Sequence, residues 1–299
     1  MNIYYISFRA MGCQITIQLQ TAQDGRAILD AIPSQVEQIE GQLSRFRLTS
    51  DLMRLNECAG EWVKVSEVLF EVIHLAKHTA RLTDGLYNPL ILPALIANGY
   101  DRSFEQIDMP VIQPTPPIAD WHDIGLRVAS HEVRLPKASA IDLGGIAKGW
   151  TANWLAEHLS QFGACLVNIG GDMVARGAPL SSSGWQVGID TNQEVLWLRL
   201  SDTAIATSGI DYRRWKTTTH EEYHHILHPK TGKPAQTDVL SATVIHPHAC
   251  YAEAYAKTVI LLGSQAGLEW LSGQWDAHGL VVSKDGRILA TSGLMQFVS

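Results

Sequence analysis

The sequence predicts an α+β fold, in which a mixed, mostly antiparallel β-sheet carries packed helices. Three observations lead there. Short strand-like segments joined by glycines recur through the second half of the chain. Longer stretches with helical spacing stand before, within and after them. The glycine turn at 141–150 is neither a P-loop nor a G-x-G-x-x-G turn, so a parallel dinucleotide-binding sheet has no support.

In chain order, residues 1–19 read as a first strand, with Ile15, Ile17 and Leu19 alternating. Helical spacing follows over 26–46 (Ile28, Ile32, Val36, Ile39, Leu43) and 66–82 (Val68, Leu69, Val72, Ile73, Ala76). "TDG" stops the second helix, and Pro89 and Pro93 break what comes next. "MPVIQPTPPIAD", 109–120, holds four prolines and is a linker or a long loop against one core; a single domain over 1–299 is the expectation. Strands follow at 124–128 and 131–135, then a helix over 148–162 with Trp150, Trp154, Leu155, His158, Leu159 and Phe162 on its buried side. "ACLVNI", "DMVARG", "WQVGI", "VLWLRL", "TAIATS", "YHHIL" and "LSATVI" read as strands, and a last helix spans about 249–263.

The 299 residues are 46% hydrophobic and 18% charged, a globular composition able to bury a substantial core. A net charge of −7 without a long basic run argues against nucleic acid or an anionic membrane surface as partner, but leaves room for one phosphate-bearing ligand. Cys13, Cys58, Cys165 and Cys250 are scattered and form no C-x-x-C pair, which suits reduced thiols in the cytoplasm. "AMGC" at 10–13 imitates a lipoprotein cleavage site, yet no apolar segment of signal length precedes it, so the cytoplasm is the expected location.

Four short motifs carry chemistry. "HEEYH", 220–224, matches the H-E-x-x-H zinc signature, but a threonine run precedes it and a strand follows, so the two histidines would not share a helical face. "IDLGGIAKGW", 141–150, reads as strand, tight turn and helix start, an arrangement that brings free amides to an anionic oxygen or merely connects two elements. "NIGGDMVARG", 168–177, looks like a hairpin turn. In "YAEAYAKTV", 251–259, Glu253 and Lys257 stand one turn apart, either as an ordinary ion pair or as the remnant of a cation site.

Their order is informative. "AMG", "LSRFRLTSDLMRLN", "TDGLYNP", "DLGGIAKG", "VNIGGD", "ATSG", "HHILHPKTG" and an alanine-rich helix follow one another from Phe8 to about Gly267. This series resembles the ApbE-type flavin transferases, the FAD:protein FMN transferases. The resemblance implies that family's fold. It implies FAD as substrate, magnesium, and transfer of FMN to a threonine or serine hydroxyl of a target protein with release of AMP. It places flavin contacts on Met11, on Phe46 (where tyrosine is usual), on Leu86, Tyr87 and Asn88, and on Asp142, Lys148 and Leu227. These would bound a cleft, with aromatic groups for the rings and Lys148 for the pyrophosphate. It gives His225 a general-base role, beside which stands the plain reading of a strand histidine. It puts the metal near the carbonyls of Gly145 and Ala256 and the side chain at 253.

The chain departs from the family pattern in places. Cys13 replaces the threonine of "MGT", His228 the aspartate of "DP", and no secretion signal is present. The block usually written "ADALAT" reads Ala252, Glu253, Ala254, Tyr255, Ala256, Lys257. Glu253 and Lys257 thus stand at the two side-chain ligand positions, and an ammonium has donors only. The expectation is an FAD-binding transferase with an altered metal centre; the alternatives are a homologue that holds FAD without transfer, and a zinc hydrolase.

Overall fold

The structure is a computed structural model that describes residues 1–299. Its main element is an eight-stranded sheet whose strands lie side by side in chain order. They are β1 (Asn2–Ala10), β2 (Cys13–Thr21), β3 (Ala164–Ile169), β4 (Asp172–Arg176), β5 (Ala204–Gly209), β6 (Val239–His246), β7 (His278–Ser283) and β8 (Ile288–Ala290). The pairs β1–β2, β2–β3, β3–β4, β4–β5, β6–β7 and β7–β8 are antiparallel, as the alternating patterns require.

The chain divides into two compact units, residues 1–37, 146–208 and 237–299 in the first, and 38–145 and 209–236 in the second. The first unit holds the sheet. One face of the sheet buries Ile15, Ile17, Leu19, Val167, Ile169 and Val174 against Ile32, Val36, Leu155 and Leu159 of the helices. The other face buries Leu166, Ala175, Ile205, Ile245, Leu280 and Val282 against a hairpin of Trp185–Asp190 and Val195–Leu200. Period-2 strands apolar on both faces are what a sheet covered on both sides needs.

The single strand read over 1–19 is instead a hairpin. Met11 (φ 53°) and Gly12 (φ 67°) both take the left-handed region, which is how a two-residue turn matches the twist of its strands. "AMGC" is therefore a turn signal. The helix Ala147–Ser160 also differs from its expected facing, since Trp154 is 39% exposed. A Cβ on Gly149 would lie 2.6 Å from the Ala249 carbonyl carbon, so this helix lies directly on the backbone of the helix Ala249–Leu262. That close approach selects the small-residue stripe with Ala152 and Ala156, and turns Trp154 outward.

In the second unit, Ser66 caps the helix Glu67–Leu82, which buries Leu69, Val72, Ile73 and Ala76. Val68, placed on the same face by its spacing, lies outside that buried set. The unit adds the helix Asp51–Glu57, a three-stranded sheet (Val63–Lys64, Gly125–Arg127, Glu132–Arg134), and a core with Tyr100, Trp215 and Leu227. Residues 111–120 have no regular structure, and the Gln113 N–H donates to the Ala97 carbonyl at 2.8 Å. "YHHIL" is not one strand: Glu222–His224 and Leu227–His228 pair with different partners, and His225 lies at the break. No helix is long and apolar enough to cross a membrane.

Candidate functional site

In the second unit, the turn after residue 141 is built by Asp142 itself. Its Oδ1 accepts the Gly144 N–H at 2.9 Å, and its own N–H donates to the Pro89 carbonyl at 2.9 Å. Asn88 spans the other side, accepting the Leu90 N–H at 2.9 Å and donating to the Ala119 carbonyl at 3.1 Å. Tyr87 is buried, with its N–H on Thr83 Oγ1 at 3.0 Å, and Leu86 is half-buried beside it. The run 86–88 and Asp142 are thereby fixed against each other.

Arg45 completes this region. Its Nε lies 2.8 Å from Asp142 Oδ2 in an ion pair, and its guanidinium lies 4.1 Å from the Phe46 ring centre and 4.5 Å from that of Tyr100. Tyr100 in turn packs on Phe46, Trp215 and His225, with ring centres 6.0, 5.6 and 6.4 Å away. Burial raises the Tyr100 pKa, keeping its phenol protonated. His225 is half-buried, with Nδ1 3.4 Å from the Arg213 carbonyl, and Leu227 packs in the core beside Tyr100 and Trp215. Phe46 is 43% exposed.

In the first unit, Met11 lies half-buried at the hairpin turn, and the Gly170 N–H donates to the Gln14 carbonyl at 3.0 Å. The same "IGGD" turn delivers Asp172, which is 1% exposed, to Lys148. Lys148 donates also to Glu253 Oε1 at 3.0 Å, and Lys257 reaches the same oxygen at 3.2 Å. Glu253 Oε2 accepts the Gly149 N–H at 3.1 Å, so its carboxylate also caps the first turn of the helix Ala147–Ser160. Glu253 is 1% exposed, which excludes a surface ion pair with Lys257.

The two carboxylates and two ammonium groups cancel in formal charge. Burial works against the charged form of Lys148, but Asp172 and Glu253 outweigh it and hold its pKa above the lysine range. For Asp172 burial, then the Glu253 charge, prevails, and its pKa is pushed up to about 6. Burial also opposes the Glu253 charge, but two lysines and the Gly149 N–H lower its pKa all the same. Two nearby carboxylates push each other's values apart, and Glu253, with more donors, is the one that stays ionised.

Magnesium requires near-octahedral oxygen at about 2.0–2.1 Å. At Glu253, one carboxylate oxygen already serves two ammonium groups and the other a backbone N–H. The side chains at the two expected ligand positions of this helix, a Glu253 carboxylate already engaged by three donors and a Lys257 that is a donor only, do not fit a divalent cation. Gly145, expected among the metal carbonyls, ends the first segment of the second unit. "HEEYH" occupies a turn and the strand Glu222–His224, so it lacks the helix a zinc peptidase needs.

Three of these residues are not marked as site residues by the sequence. Asp172 lies in "VNIGGD", read only as a turn; Arg45 adjoins Phe46 in "LSRF"; and Tyr100 has no local signal, because its neighbours come from distant segments.

The profile of the ApbE family matches residues 11–281. The FAD:protein FMN transferase of Treponema pallidum is 29% identical over 96% of this chain and 85% of its own length. That of Klebsiella pneumoniae is 26% identical over 97% and 92%. The crystal structure of the ApbE protein of Thermotoga maritima superimposes with a TM-score of 0.88 at 26% identity, covering all of both chains. The flavin transferase ApbE of Vibrio cholerae gives 0.82 at 25% identity over 99% of each.

Proposed function

The chain belongs to the ApbE family, and on that premise we propose that it is an FAD:protein FMN transferase with an altered cation centre, in which Lys257 stands in for part of the metal. It binds FAD and passes the FMN half to a threonine or serine hydroxyl of a target protein. The hydroxyl oxygen forms a bond to the FMN phosphorus, the bond from that phosphorus to the bridging oxygen breaks, and AMP leaves. Met11, Phe46, Leu86, Tyr87, Asn88, Asp142, Lys148 and Leu227 serve FAD, and His225 takes the hydroxyl proton. Such a reaction depends mostly on positioning and on neutralising phosphate charge.

The observation that carries the reading is the buried cluster of Lys148, Asp172, Glu253 and Lys257. An ammonium brings one positive charge and movable donors where magnesium would bring two charges and a fixed shell. Transfer is therefore slow and insensitive to magnesium. The same observation favours a second reading, a homologue that holds FAD and has lost transfer.

Incubating the protein with FAD and a threonine-bearing peptide, with magnesium or with chelator, tests the proposal. Mass spectrometry should find the FMN-peptide, and chromatography AMP, at similar low rates in both. Product formed only with magnesium would remove the lysine replacement, and FAD binding without product in either arm would favour the second reading.

A further inference from the structure

Resting on the reading of this chain as an FAD-binding transferase, we infer that Arg45 is a specificity-determining residue that hydrogen-bonds the dione edge of the flavin ring while holding Asp142. The Arg45 side chain is 6% exposed, and its Nε is engaged by Asp142 at 2.8 Å. Its Nη2 is buried and has no acceptor in the protein. A buried donor left unmatched costs about 1–3 kcal/mol, so such a group is kept where something else supplies the acceptor.

The surroundings define that acceptor. The guanidinium lies over both the Phe46 and the Tyr100 ring, at 4.1 and 4.5 Å from their centres, so it cannot swing to solvent without losing both contacts. Tyr100 is 7% exposed and closes one side, whereas Phe46 is 43% exposed. A part-exposed aromatic ring with a fixed cationic donor beside it suits a flat ring bearing carbonyl oxygens at its edge. The isoalloxazine dione has that shape and carries two such oxygens. Asp142 holds the guanidinium at its Nε, and a lysine at this position would carry the charge without the planar set of donors.

The test compares the parent with Arg45→Lys and Arg45→Met, titrated with riboflavin, FMN, FAD and ADP, with circular dichroism as the check on folding. Arg45→Lys keeps a charge for Asp142, so it guards against a variant that merely misfolds. The expected result is a loss of roughly 10- to 100-fold in affinity for all three flavins, with ADP unaffected, as one charged hydrogen bond implies. The visible absorption of the bound flavin should also shift, which a purely structural role would not cause. Loss for FAD and ADP with riboflavin unaffected would overturn the inference by moving Arg45 to the phosphates. Flavin binding equal in parent and variants would overturn it alone, whereas a parent that binds no flavin would overturn the FAD reading as well.

Discussion

Replacing His225 with alanine is expected to slow FMN transfer roughly 10²- to 10⁴-fold while leaving FAD affinity nearly unchanged. His225 lies at the break between two short strands, edge-on to Tyr100 at 6.4 Å, with Nδ1 3.4 Å from the Arg213 carbonyl. An Nδ1–H given to that carbonyl makes Nε2 the nitrogen with a lone pair, the form a general base needs. The neighbouring phenol does not compete, because burial raises the Tyr100 pKa further from neutrality. Single-turnover transfer in a quenched-flow experiment, paired with an FAD titration, separates the two effects. Full transfer by the variant would make His225 a structural residue of the strand break.

Glu253→Ala is expected to destabilise the fold by roughly 3–5 kcal/mol, the usual cost of removing one partner from a buried ion pair. Glu253 is 1% exposed and answers three donors: the ammonium groups of Lys148 and Lys257 and the Gly149 N–H. Without it, Lys148 keeps only Asp172, and the helix Ala147–Ser160 loses an acceptor in its first turn. Lys257→Met leaves Glu253 paired with Lys148 and with the Gly149 N–H, so it should cost less than Glu253→Ala. Urea unfolding of both variants measures the difference. Equal small losses would mean that Glu253 is not the hub of the cluster.

What could be read locally was read well. The helix Glu67–Leu82 follows from its apolar spacing and its Ser66 cap, and the helix Ala249–Leu262 ends at Gly263, whose φ of 88° suits glycine. The altered block at 252–257 was visible in the sequence because its signal lies within two helical turns. The partners of that block were not. Lys148 meets Glu253 across 105 residues and Asp172 across 24, and no local pattern encodes either contact. Aromatic spacing puts Trp154 on the wrong face because it ignores what the helix packs on, and at Gly149 the helix packs on backbone. The N-terminal strand hid a hairpin because Met11 takes a positive φ that favours glycine or asparagine, leaving Gly12 as the only turn signal.

The proposal that Lys257 stands in for part of a divalent cation rests on its place beside the buried Glu253 carboxylate. It is tested most directly by calorimetric titration of magnesium, with FAD present, into the parent and into the double variant Glu253→Asp with Lys257→Thr. The parent should give no binding heat at millimolar magnesium. The variant, which regains oxygen donors and loses one ammonium, should bind magnesium and transfer FMN faster with it. Tight magnesium binding by the parent would contradict the claim and leave Lys257 a bystander on its helix.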